Sequence, residues 1–127
     1  MSDMKEYISE INKLLPLGKS ISQPDAEKRA GQFLAAMAKV TDWRHILSEE
    51  KIRCLSVRTA VYAEEMQKNS ELKVAAGQAA SEAAPAYIEA REGLERIEND
   101  LNYLKACYDI FMNGHLFYRQ MAKGEML

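Results

Sequence analysis

The middle of the chain carries three basic residues at intervals of seven, Arg44, Lys51 and Arg58. Seven residues make almost two turns of an α-helix, so this spacing places the three cations, here called the basic row, along one side of a helix. Cations beside aromatic rings are what proteins use to hold the phosphates and stack the bases of a single strand. The predicted nucleic-acid-binding residues are Trp43, Arg44, Lys51, Arg53, Arg58 and Tyr62.

The basic row also fits a solvated helix face whose charges are balanced by neighbouring carboxylates. Glu49 stands four residues before Arg53, and Glu50 is next to Lys51. The same (i, i+4) spacing of opposite charges recurs at Glu64–Lys68, Glu92–Arg96 and Lys105–Asp109. The formal net charge of −2 provides no general attraction for nucleic acid, so binding would depend on this local group of cations. Both interpretations remain open.

The sequence contains little that indicates a catalytic site. The two histidines, His45 and His115, belong to no H-E-x-x-H or Glu-x-x-His motif, and no glycine-rich phosphate loop is present. Cys54 and Cys107 form no C-x-x-C pair, so we expect reduced thiols that pack as small apolar side chains. The prediction is a non-enzymatic protein with no metal, no cofactor and no small-molecule substrate.

Helices must position all of these residues. The chain is 47% hydrophobic and 28% charged with few Gly and Pro, a composition typical of helical proteins. Its periodicity predicts one all-helical domain over 1–127, with helices at about 3–15, 24–68 and 84–121. Ser22 is the predicted N-cap of the second helix, whose continuity past 41–48 is left open. Residues 69–81 are predicted to form the turn region, with Asn69 and Gly77 as breakers and an extra helical turn at 72–76.

The last predicted helix carries a long apolar stripe, and a stripe of this kind needs another helix to cover it. We therefore predict that it pairs with the second helix to form a long, coiled-coil-like antiparallel hairpin. The predicted fold also includes a short N-terminal helix. The stripe alternates spacings of three and four through Tyr87, Ala90, Leu94, Ile97, Leu101, Leu104, Tyr108, Phe111, His115 and Tyr118.

Aromatic residues accumulate near the end of this last helix, including some that lie off the stripe. Two interpretations are open: the short N-terminal helix completes the core there, or subunits meet there in a homo-oligomer. The predicted oligomer interface consists of Tyr108, Phe111, Phe117 and Tyr118.

The first residues, Met1-Ser2-Asp3-Met4-Lys5-Glu6, contain no apolar segment of the kind found in secretory signals. No apolar run approaches the ~18 residues of a membrane span. We therefore expect a cytoplasmic protein that has no membrane partner.

Part of the second predicted helix resembles the UvsY-like recombination mediators of tailed bacteriophages. Gln32-Phe33-Leu34 is similar to a basic-aromatic-Leu step of that family. The family has aliphatic, aliphatic, basic and aromatic residues where this chain has Leu47, Leu55, Arg58 and Tyr62. The resemblance covers residues 33–62 and, more loosely, the last helix, where Arg119-Gln120-Met121-Ala122 with Gly124 is similar to the closing motif.

This resemblance implies a small all-helical protein that forms rings, binds single-stranded DNA and loads a recombinase, in the host cytoplasm if phage-encoded. A Lys-x-Arg pair that the family uses for DNA reads Ser56-Val57-Arg58 here, so only Arg58 carries over. The predicted function is accordingly a homo-oligomeric recombination accessory protein. The alternative is a helical interaction protein without nucleic-acid binding: a chaperone, a host-system inhibitor or a virion assembly factor.

Overall fold

A computed structural model describes residues 2–15 and 21–124, and this part of the chain consists of four α-helices without a strand. The helices are α1 (Ser2–Asn12), α2 (Gln23–Lys68), α3 (Val74–Glu82) and α4 (Pro85–Ala122). The predicted all-α class is confirmed, and α2 is a single helix through the segment where a break was left open. The Ser22 hydroxyl caps α2 as predicted, since its Oγ accepts a hydrogen bond of 3.2 Å from the Asp25 N–H.

The chain forms two compact units. The first unit combines Met1–Arg44 with Tyr103–Leu127 and thus contains α1, the first part of α2 and the last part of α4. Phe33 is fully buried in its core, where its ring stacks on Tyr118 at a centroid distance of 5.8 Å and lies 5.9 Å from the Phe111 ring. The α1 side chains Ile8 and Met4 are buried in the same unit. The short N-terminal helix therefore contributes to this core.

The second unit, His45–Asn102, contains the second part of α2, α3 and the first part of α4. Its buried apolar residues, Leu94 and Ile97, come from α4, whereas none of the α2 residues in this unit is more than half-buried. Ile52 of α2 is 64% exposed. The half-buried α2 positions of this unit recur mainly at spacings of three and four: Leu47, Lys51, Cys54, Leu55, Arg58, Val61, Tyr62, Glu65 and Met66.

The residues that contact each other on α2 and α4 follow opposite orders: higher residue numbers on α2 pair with lower residue numbers on α4. The contacting pairs are Ala30–His115 and Arg44–Tyr108 in the first unit, and Lys51–Glu98 and Tyr62–Tyr87 in the second. This order is antiparallel, so the predicted hairpin is confirmed. All ten residues of the predicted stripe are buried or half-buried, as expected for the side of α4 that packs inward.

The helix α3 occupies part of the segment predicted to be a turn. Ser81 is fully buried, and its hydroxyl donates to the Gly77 carbonyl at 2.7 Å while accepting from the Asn69 side-chain amide at 3.3 Å. The same amide donates to the Glu65 carbonyl at 2.9 Å. Asn69 therefore does end α2, but Gly77 lies inside α3 instead of breaking it. The alanine-rich sequence favours a helix, and these hydrogen bonds hold it to the end of α2.

The helix α4 continues through Gly114 to Ala122. A Cβ added at Gly114 would lie 3.0 Å from two carbon atoms of the Phe33 ring, which is closer than side chains normally pack. Gly31 differs, because a Cβ there would meet no atom within 4 Å. Gly114 thus permits a close helix contact, whereas Gly31 is an exposed glycine in a helix interior.

Replacing these two glycines by alanine should change stability in opposite directions. Gly114→Ala should lower the free energy of unfolding by about 1–2 kcal/mol, because the buried Phe33 ring has little room to move. Gly31→Ala should raise it by about 0.5–1 kcal/mol through helix propensity alone. Urea unfolding followed by circular dichroism measures both. A stabilised Gly114→Ala variant would contradict the packing described here.

Candidate nucleic-acid interface

The six predicted nucleic-acid-binding residues are divided between the two units. Trp43 and Arg44 belong to the first unit, and the other four belong to the second. All six lie on α2, which the sequence predicted. The two groups are described separately.

In the first unit, Trp43 is part of the contact between α1 and α2. Its ring meets the Tyr7 ring edge-on at a centroid distance of 5.6 Å, and the Lys39 ammonium lies 5.7 Å from the Trp43 centroid and 4.7 Å from that of Tyr7. Burial raises the pKa of the Tyr7 phenol. The Arg44 guanidinium lies 6.0 Å from the Tyr108 ring centroid. Trp43 therefore has a packing role that limits its use as a stacking surface.

In the second unit, Lys51 and Arg53 face different surroundings. The Lys51 ammonium lies 3.9 Å from a Glu98 carboxylate oxygen, and both side chains are partly exposed, so this ion pair contributes little to stability. Arg53 is exposed, about 200° around the helix from Lys51 at 3.6 residues per turn. Arg53 therefore lies on the outer side of α2, away from the side that Lys51 and Arg58 share.

Arg58 and Tyr62 line one cleft in the second unit, which we call the tyrosine cleft. It has a volume of about 300 Å³ and is completed by Thr59, Glu82 and Tyr87. The Tyr62 and Tyr87 rings are tilted at 56° to each other with their centroids 5.5 Å apart. Arg58 is half-buried, and within residues 2–15 and 21–124 its guanidinium forms no ion pair.

Two members of the tyrosine cleft were not among the predicted binding residues. Tyr87 was placed in the apolar stripe, and Glu82 is the last residue of α3. The register of the hairpin could have identified Tyr87 as the neighbour of Tyr62. The two residues are equally far along the chain from the middle of the turn, and so are Lys51 and Glu98. Glu82 depends on α3, for which the sequence offered no such signal.

The ion pairs found in the structure differ largely from those that the sequence predicted for a charge-balanced helix face. Glu49 contacts the His45 imidazole at 3.3 Å instead of pairing with Arg53. Lys68 pairs with Glu65 at 3.2 Å, one residue away from the predicted Glu64. Arg53 and Arg58 therefore lack the carboxylate partners that a balanced helix face would supply, as far as the described residues extend.

The residues of the predicted oligomer interface lie mainly inside the first unit. Phe111 and Tyr118 are core residues, and the Tyr118 hydroxyl donates to the Leu14 carbonyl at 2.7 Å and accepts from Arg29 Nη1 at 3.0 Å. Their predicted role at a subunit surface is thus corrected, because both side chains are buried within this unit, where the Phe33 ring of α2 packs against them. Tyr108 is half-buried beside Arg44.

An apolar surface does remain beside this core. Ile110 is 44% and Leu116 45% exposed, and Phe117 is half-buried. A groove of about 400 Å³ is lined by Leu15, Ile110, Asn113, Gly114 and Phe117. The predicted oligomer interface included Phe117 but neither Ile110 nor Leu116.

Neither a metal centre nor a membrane span is apparent in residues 2–15 and 21–124. No three His, Cys, Asp or Glu side chains converge there as metal ligands would. No helix in these ranges is both long and apolar enough to cross a membrane. The two cysteines are free, and burial raises the pKa of the Cys107 thiol. Comparisons with protein-family models, with curated proteins and with solved structures found no match.

Substitutions of Trp43 and Arg53 should separate packing from surface charge. Trp43→Ala removes the ring that Tyr7 and Lys39 contact and should lower the free energy of unfolding by about 1–3 kcal/mol. Arg53→Ala changes an exposed side chain and should stay within about 0.5 kcal/mol of the unmodified protein. Thermal and urea unfolding provide the comparison. A strongly destabilised Arg53→Ala variant would show that Arg53 has a structural contact.

Proposed function

We propose that this protein is a non-enzymatic accessory protein that binds single-stranded DNA through α2, in the manner of the phage recombination mediators that it resembles. The observation that carries the proposal is the tyrosine cleft. There an arginine without an ion-pair partner among the described residues lies beside two aromatic rings. A guanidinium holds a phosphate, and a ring provides a stacking surface for a base.

The physical magnitudes favour weak, salt-dependent binding by each copy of the chain. Stacking of one base on an aromatic side chain is worth about 1–3 kcal/mol, and each phosphate contact adds a term that salt weakens. The net charge of −2 adds no long-range attraction. A homo-oligomer would compensate by presenting several clefts to one strand, because linked weak sites bind with a high effective concentration. A recombinase as protein partner completes the proposal.

Binding of a fluorescently labelled oligo-dT, measured by anisotropy at low and at moderate salt, tests this function. We expect an affinity that falls as salt rises. Arg58→Ala should weaken binding about 5- to 10-fold and reduce the slope of log affinity against log salt by about 0.7, the value for one lost phosphate contact on a single strand. Arg53→Ala should have a smaller effect, because Arg53 lies on the other side of α2.

The matched control is Lys105→Ala, which removes an exposed cation from α4 in the first unit. It should leave the affinity within about twofold of the unmodified protein, since Lys105 does not line the tyrosine cleft. Absence of salt-sensitive binding, or equal losses in Arg58→Ala and Lys105→Ala, would refute the proposed use of the tyrosine cleft.

A second candidate function rests on the apolar surface of the first unit. Ile110, Leu116 and Phe117 suit an amphipathic helix of a protein partner, with no role for nucleic acid. The chaperone, inhibitor and assembly-factor interpretations belong to this candidate.

Light scattering with an Ile110→Glu variant distinguishes the two candidates. A ring-forming mediator predicts a mass of several chains, such as six or seven, in the unmodified protein. Ile110→Glu should reduce that mass if subunits meet on this surface, because a buried unpaired charge is costly. A stable monomer that also fails to bind oligo-dT would favour the second candidate.

A further inference from the structure

We infer that the tyrosine cleft is selective for the base it holds, favouring guanine and cytosine over thymine. The inference rests on the proposed binding of single-stranded DNA and assigns a specificity to the same site. The residue that decides the selectivity is Glu82, which lines the cleft together with Arg58, Thr59, Tyr62 and Tyr87.

The dimensions of the cleft suit one nucleotide. Its volume of about 300 Å³ is at the lower limit of the roughly 300–1,000 Å³ found for small-molecule pockets. The Tyr62 and Tyr87 rings line the cleft and provide aromatic surface for a base, and the Arg58 guanidinium lines the same cleft and suits the attached phosphate. Stacking and phosphate contact alone would accept any base.

The Glu82 carboxylate makes the cleft selective among bases, because an ionised carboxylate only accepts hydrogen bonds. Guanine presents adjacent N–H donors at its ring N1 and its amino group, and cytosine presents an amino group that carboxylates accept from. Thymine presents one N–H between two carbonyl oxygens, which repel a carboxylate. The negative charge also disfavours every bound phosphate equally, so only bases with suitable donors offset that cost.

Glu82 is free to act in this way. It is exposed, and within the described residues its carboxylate forms no ion pair, although Arg58 lines the same cleft. Thr59 carries a hydroxyl that both donates and accepts, and it therefore distinguishes bases less than a carboxylate does. Among the groups that line the cleft, Glu82 is the one that only accepts hydrogen bonds, whereas the Arg58 guanidinium only donates them.

The test compares labelled strands of oligo-dT, oligo-dC and alternating dT and dG by anisotropy at near-neutral pH and one salt concentration. The unmodified protein should bind oligo-dC and the dG-containing strand at least about fivefold more tightly than oligo-dT, the lower limit for one good base contact. Glu82→Gln should bind oligo-dT more tightly than the unmodified protein does and should reduce the preference to less than about twofold. Its amide both donates and accepts, and it carries no charge.

Glu92→Gln is the matched control, because it removes an exposed carboxylate from α4 outside the cleft. It should leave the preference among the strands unchanged. Equal binding of all strands by the unmodified protein, or a preference that survives Glu82→Gln, would overturn the inference while leaving the proposed DNA binding intact. Absence of salt-sensitive binding to any strand would overturn both, and circular dichroism of each variant verifies that it is folded.

Discussion

Packing of α2 against α4 is the constraint on which the rest of the structure depends. In the first unit, the Phe33 ring lies where Gly114 leaves no side chain, and Tyr118 and Phe111 enclose it. In the second unit, the contact is thinner, and α2 contributes half-buried side chains such as Tyr62. The same antiparallel order of contacts holds in both units, so a residue's partner on α4 follows from its position on α2.

This constraint also explains the position of the basic row. Residues seven apart on α2 share one side of the helix, and the half-buried positions of α2 repeat at the same interval. Lys51 and Arg58 therefore lie at the edge of the contact with α4, close to Glu98 and Tyr87 respectively. Arg53 does not fall at this interval, and its side chain is exposed. Cations at the edge of a helix contact form clefts with the partner helix, whereas an outward row would present a flat charged surface.

Several features could be predicted because they depend on local pattern. The all-α class, the hairpin and the inward-facing stripe from Tyr87 to Tyr118 follow from apolar periodicity, and the Ser22 cap follows from a single hydroxyl at a helix start. The location of Phe111 and Tyr118 in the core could not be predicted. It depends on the Phe33 ring of α2 and on a hydrogen bond from the Tyr118 hydroxyl to the Leu14 carbonyl, 104 residues away along the chain.

By itself the sequence determined the all-α class, the three longer helices, the side of α4 that packs inward, and that Arg58 and Tyr62 share a side of α2, because these properties repeat within a few turns of one helix. Only the tertiary structure decided that Tyr87 and Glu82 join them in one cleft, and that Phe111 and Tyr118 are enclosed. The cleft depends on the register between α2 and α4 and on α3, a helix held to the end of α2 by the Asn69–Ser81 hydrogen bond. The enclosure of Phe111 and Tyr118 depends on the Phe33 ring and on the Leu14 carbonyl. Contacts between elements distant in sequence leave no periodic signal in either element alone.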